Sequence, residues 1–188
     1  MSELVERFVE KINAGTREPE FLESVPVPCR LPASGDEPLF SDWRVVRSHE
    51  SSWIRELEQR AGLRFPSTFR ELIGEYLFPR FECGPLSFYA VGLSEESPEF
   101  KFEELRGVIF KDAGLTDFLL PRKLLPFARP RTWDYDPICF DFREDPKAKD
   151  APVIRVDHEA ILCNDRLRIS DHVAPSFREL LSSLAGDL

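Results

Sequence analysis

The chain has one methionine, three widely separated histidines (His49, His158 and His172) and four scattered cysteines (Cys29, Cys83, Cys139 and Cys163), none of them in a Cys-x-x-Cys pair. That scarcity removes the clustered ligands of a structural zinc site and the dithiol spacing of a redox motif. There is no Gly-x-Gly-x-x-Gly and no Walker-type lysine, so no phosphate-cradling loop is expected. No apolar run approaches the ~20 residues needed to span a bilayer. No charged-then-apolar leader opens the sequence, and no glycosylation sequon occurs. Together these absences point to a cytoplasmic protein with reduced thiols, without metal or cofactor.

What is present is ordinary in amount and unusual in kind. The 188 residues suffice for one domain with a real core. The hydrophobic fraction is 42% and the charged fraction 31%, as in a globular domain. Sixteen phenylalanines supply large, rigid core area, and sixteen prolines imply many loops and short elements. The net charge of −9 repels nucleic acid and anionic lipid and attracts basic proteins, besides aiding solubility.

Residues 2–13 read as an amphipathic helix, because Leu4, Val5, Phe8, Val9 and Ile12 recur at helical spacing and Gly15 suits the stop. Residues 25–38 are proline-rich and irregular, and 39–47 read as a strand or edge segment. Residues 1–47 are accordingly an N-terminal extension packed on a domain of residues 48–188. Trp53, Ile54, Leu57 and Ala61 define a second helix, ended by Gly62 in the left-handed region. Pro66 starts a third, with Thr68 and Glu71 at capping-box spacing and an apolar stripe of Phe69, Leu72, Ile73, Tyr76 and Leu77. Residues 86–93 read as a strand, 99–111 as a helix, and 124–128, 138–142, 153–157 and 166–170 as strands. A closing helix over 175–184 has Ser176 and Glu179 at capping-box spacing. Helices first and strands mostly later favour an α+β fold with an antiparallel sheet.

Several of these residues fall in a familiar order: Trp53-Ile54…Leu57-Glu58…Gly62-Leu63…Phe65-Pro66…Phe69-Arg70, then Leu124-Leu125-Pro126-Phe127-Ala128 and Trp133-Asp134-Tyr135-Asp136-Pro137-Ile138-Cys139-Phe140-Asp141. Pro152-Val153-Ile154-Arg155-Val156-Asp157-His158-Glu159 and Ala174-Pro175-Ser176-Phe177 with Leu180-Leu181 complete it. In this arrangement the chain resembles the SUKH superfamily, the Smi/Knr-type domains, from about residue 50 to the end. The resemblance implies a single α+β domain with helices packed on a twisted, mainly antiparallel sheet, and a non-enzymatic role. It implies an immunity-type protein that binds and neutralises a cognate toxin domain, or alternatively a regulatory adaptor without a toxin partner. Many members place a glycine before the acidic residue of the first central strand. Here Trp133-Asp134-Tyr135-Asp136 has none, and Asp134 would serve the turn.

Two stretches carry titratable side chains close together. Asp157-His158-Glu159 with Cys163 nearby invites a Cys–His–acid reading, yet sequence neighbours on one element seldom meet as nucleophile and base. His158-Glu159 also lacks the second histidine of a zinc-protease helix, since Leu162 stands there. Cys139 and Cys163 both lie in apolar runs and read as buried thiols. The acidic run Asp134, Asp136, Asp141, Glu144, Asp145 and Asp150 is broken by Pro137 and an apolar strand, so it does not form a calcium loop. Exposed carboxylates there would solvate a loop or face a partner. Trp133 and Tyr135, flanked by charge, suit a contact hot spot. The expected partner-binding residues are therefore Trp133, Asp134, Tyr135, Asp136, Asp157, His158 and Glu159, facing another protein such as a basic toxin domain, with no catalytic residue and no nucleic-acid or membrane partner.

Overall fold

Leu4, Val5, Phe8, Val9 and Ile12 are all buried, and the helix their spacing predicts is α1 (Glu3–Ala14). The structure, a computed structural model, describes residues 2–15, 20–21, 24–31, 40–48, 52–91, 103–132 and 135–186. Gly15 does end α1, but in extended backbone at φ −75°, so its left-handed freedom is not what stops the helix. The expected strand over 39–47 is instead two short pieces in different ladders. β2 (Phe40–Ser41) pairs with β1 (Glu20–Phe21), and β3 (Val46–Arg47) pairs with β4 (Tyr76–Leu77).

The helix pair forms as its sequence dictates. α2 (Ser52–Ala61) buries Ile54 and Leu57 and hands over to Gly62 at φ +66°. α3 (Ser67–Glu75) follows Pro66 and buries Phe69, Leu72 and Ile73. Glu58, itself buried, accepts from the Phe65 amide at 3.1 Å and pairs with Arg70 at 3.6 Å, bracing the crossing between the two helices. The Thr68–Glu71 capping box does not form. Thr68 lies inside the helix, and Glu71 turns instead to Ser2 at the start of α1. Tyr76 and Leu77 leave the helical stripe to make β4.

Six strands follow: β5 (Phe81–Cys83), β6 (Leu86–Phe88), β7 (Leu124–Pro130), β8 (Ile138–Asp141), β9 (Val153–Val156) and β10 (Ile169–Ala174). They stand in the sheet in chain order and every neighbour is antiparallel. α1, α2 and α3 precede this series, as expected, and further helices interrupt it. α4 (Glu103–Phe110) and α5 (Ala113–Leu119) separate β6 from β7, α6 (His158–Asn164) separates β9 from β10, and α7 (Phe177–Ala185) closes the described chain. Of the helix expected over 99–111, residues 99–102 lie outside the described residues, as do Gly92 and Leu93 of the strand expected over 86–93.

β7 carries Pro126 in the middle of the sheet, where a missing amide would break a ladder. The register slips between Pro126 and Ala128, and the bulge accommodates it. β10 shows two such slips against β9. Its predicted span, 166–170, lies several residues too early.

Both sheet faces are covered, so the alternation in β8 is buried on either side. Phe140 joins the main core, where its ring stacks on Phe127 at 4.1 Å and meets Phe69 at 5.1 Å and Phe177 at 5.5 Å. Cys139 faces a second cluster with Leu115, Phe118, Leu119, Leu124, Ile154, Val156 and Ile161. Its thiol is pushed upward by complete burial.

α7 starts where the capping pattern placed it, with the Ser176 hydroxyl accepting from the Glu179 amide at 3.1 Å. Asp150 accepts from the Phe177 and Arg178 amides at 3.1 and 3.3 Å. Between them they satisfy donors that a helix start leaves orphaned.

Candidate functional site

Because β8 and β9 run antiparallel, the residues before β8 and after β9 share one end of the sheet, where the Val156 amide donates to the Pro137 carbonyl at 3.0 Å. Asp136 sits there, only 6% exposed. Its Oδ2 accepts from Arg155 Nε at 2.8 Å and from the Ser170 hydroxyl at 3.3 Å. Its Oδ1 accepts from the His158 amide at 2.9 Å and lies 2.8 Å from His158 Nδ1. Burial alone would push this carboxyl upward. The backbone and side-chain hydrogen bonds from His158, with Arg155, outweigh it and hold the group below the ordinary aspartate value.

An ionised Asp136 can only accept, so Nδ1 of His158 must carry a proton. In the neutral ring the lone pair then belongs to Nε2. Among the described residues Nε2 has no hydrogen-bond partner, and no fully buried side-chain nitrogen or oxygen there lacks one, so Nε2 is not fully buried.

His158 opens α6, capped by Asp157, whose carboxylate accepts from the Ala160 amide at 2.8 Å and pairs with Arg168 at 3.3 Å. The Tyr135 ring stands edge-on to the His158 ring at 6.0 Å and is 68% exposed. Glu159 is exposed beside it. Leu162, one helical turn beyond His158 and on the same side of α6, is 57% exposed.

The structure thus brings Tyr135, Asp136, Asp157, His158 and Glu159 to one place, while Trp133 and Asp134 lie outside the described residues. Asp136 corrects an expectation: it is a buried keystone that orients His158, not an exposed contact. Three residues escaped the sequence reading. Arg155 had a signal, since a lone charge within Val153-Ile154-Arg155-Val156 requires a counter-ion. Ser170 and Leu162 had none.

Cys163 is exposed, not buried as its apolar run suggested. Five residues past His158 it lies roughly 140° around the helix from it. Ser170 bonds to Asp136 rather than to the open nitrogen of His158. Among the described residues no three His, Cys, Asp or Glu side chains converge as metal ligands, and no helix is long and apolar enough to cross a membrane. Much of the acidic run has local work: Asp141 clamps Arg143 at 2.6 and 2.8 Å, Asp145 accepts from the Lys147 amide and Asp150 caps α7.

Helices on both faces of an antiparallel sheet, with a polar cluster and an exposed aromatic at one sheet end, define a domain of the α+β class. Residues 50–183 match the model of the SMI1 / KNR4 family (SUKH-1), and the chain belongs to that family. Comparison with curated proteins finds no match. Comparison with solved structures finds none either. Membership supports a protein-interaction role of the immunity type in general, in a family whose domains are generally non-enzymatic.

Proposed function

We propose that this chain is a non-enzymatic, cytoplasmic protein-binding domain of the immunity type, which neutralises a cognate toxin domain by docking the sheet end around Tyr135. The observation that carries the reading is the pairing of an exposed tyrosine with a histidine locked from behind. Tyr135 offers a large ring to solvent, and His158 is fixed by two hydrogen bonds to a buried carboxylate. Large aromatic rings held rigid bury contact area at low entropic cost, which is the character of an interface hot spot. The net charge of −9 complements a basic active-site cleft, so encounter is steered and substrate is then blocked sterically. Among the described residues, Cys163 lies roughly 140° around the helix from His158 and Ser170 is seated on Asp136, so neither is placed as a nucleophile for that imidazole.

The test is a pull-down and titration against the product of the neighbouring gene. The wild type binds and suppresses that product's toxicity, and Tyr135→Ala weakens binding about tenfold or more without altering the fold. A neighbour that binds but carries no toxin domain assigns the protein to the regulatory-adaptor class instead. A toxin-like neighbour that does not bind rejects the immunity reading.

A further inference from the structure

We propose that the Tyr135–His158–Glu159 cluster is an arginine-binding subsite, which takes a guanidinium from a basic protein partner with an apolar neighbour laid on Leu162. The proposal rests on the docking reading above and adds the chemistry of what docks.

Three features converge on a cation. In the neutral ring the Asp136 contact places the proton of His158 on Nδ1, which makes Nε2 a hydrogen-bond acceptor. Tyr135 presents an exposed ring 6.0 Å from that imidazole, and ring faces attract guanidinium groups. Glu159 is exposed at the next position of α6, with no partner for its carboxylate among the described residues. A guanidinium is a planar fork that can stack on the tyrosine while donating to both Nε2 and the carboxylate, which an ammonium does less well.

The positive end of α6 opposes a cation, but it is already met by Asp157, which caps the helix, and by Asp136, which takes the His158 amide. Both of those carboxylates are themselves paired, with Arg168 and Arg155. Glu159 therefore supplies the free negative charge.

Leu162 completes the surface. It lies one turn along α6, and its Cδ2 rests where a side chain on Gly114 of α5 would stand, 2.7 Å from the Cβ position. A larger residue at Gly114 would require Leu162 to shift. An exposed leucine beside a cation-recognising cluster fits an arginine followed by an apolar residue, and the acidic balance of the chain favours such a basic partner.

The experiment is an NMR titration of the full chain with N-acetyl-arginine methylamide, with its neutral citrulline counterpart as control. The arginine compound produces saturable shifts at the Tyr135 and His158 rings, the Glu159 amide and the Leu162 methyls, and citrulline does not. Tyr135→Leu and Glu159→Gln each weaken the binding on the order of threefold. Long-range proton–nitrogen correlation shows His158 protonated at Nδ1 and bare at Nε2. The opposite tautomer, equal responses to arginine and citrulline, or variants that bind arginine as the wild type does would each overturn the subsite. A neighbouring gene product that binds wild type and Glu159→Gln equally sinks the subsite and leaves the docking face standing. Arginine binding without a binding neighbour sinks the immunity reading and leaves the subsite.

Discussion

Glu71 on α3 holds Ser2, the residue before α1 and 69 positions earlier in the chain: its carboxylate accepts from the Ser2 amide and, at 2.8 Å, from the Ser2 hydroxyl. Negative charge at a helix start is favourable twice over, through the orphaned amides and through the dipole. Glu71→Ala therefore lowers stability by about 1 kcal/mol, and Glu71→Gln, which keeps the acceptor, costs less. Chemical denaturation of the two variants checks the order.

Phe8 lies 6.0 Å from Phe88 and 6.2 Å from Phe81, inside the main core rather than beside it. If residues 1–47 belong to the folded unit as we propose, Phe8→Ala costs about 3–5 kcal/mol, and unfolding stays a single transition. A loss below about 1 kcal/mol, or an early separate melt of α1, would show a loosely attached extension.

Asp136 and Asp141 are both held below the ordinary aspartate value, in each case by hydrogen bonds and neighbouring cations that outweigh burial. A depressed folded value means that the stabilisation is fully present above the unfolded value, about 3.9. It is lost as the pH falls through the folded value. Stability should thus be steady near neutrality and decline below about pH 4. Asp136→Asn removes part of that decline and lowers stability at pH 7. Asp136→Ala costs about 1–3 kcal/mol, because the Arg155 and His158 donors lose this acceptor. Denaturation midpoints across the acid range decide it.

Gly84 and Gly62 both require positive φ, at +58° and +66°, but only Gly84 is crowded. It opens the two-residue turn between β5 and β6, and a Cβ there would stand 2.8 Å from Leu184 Cδ2, on a buried residue of α7. Gly62→Ala costs about 1 kcal/mol from backbone strain alone. Gly84→Ala costs more, since Leu184 must also repack. Equal losses in thermal melts would refute the packing account.

The four thiols should react in a definite order. Burial pushes Cys29 up to about 12, raises Cys139 and, with partial cover, raises Cys83. Cys163 alone is exposed. A thiol reagent applied to native protein therefore labels one equivalent fast, and Cys163→Ser abolishes that phase.

Local chemistry was legible in the sequence. The α2–α3 pair, the start of α7 and the strand nature of β8 follow from apolar spacing, Gly62, Pro66 and Ser176. What needed the third dimension was less so. α5 is short and carries Gly114, so its seven residues gave no usable period. The Glu71 carboxylate had two candidate amides, and the fold chose the distant one. At the site, Tyr135 and His158 could be named because aromatic and titratable side chains stand out in a run. The cluster around Asp136 joins residues 19, 22 and 34 positions away, and cross-strand register, which no single segment encodes, brings them together.

The two register slips in β10 have an effect on how this molecule can be recognised. An irregular outer edge carrying Asp171 and His172 offers a poor template for backbone pairing. That edge of the sheet resists extension by a further strand, whether from a foreign peptide or from another copy. If the sheet's end is the docking face we propose, selectivity rests on its side chains, where a single substitution can change the preferred partner and leave the architecture intact.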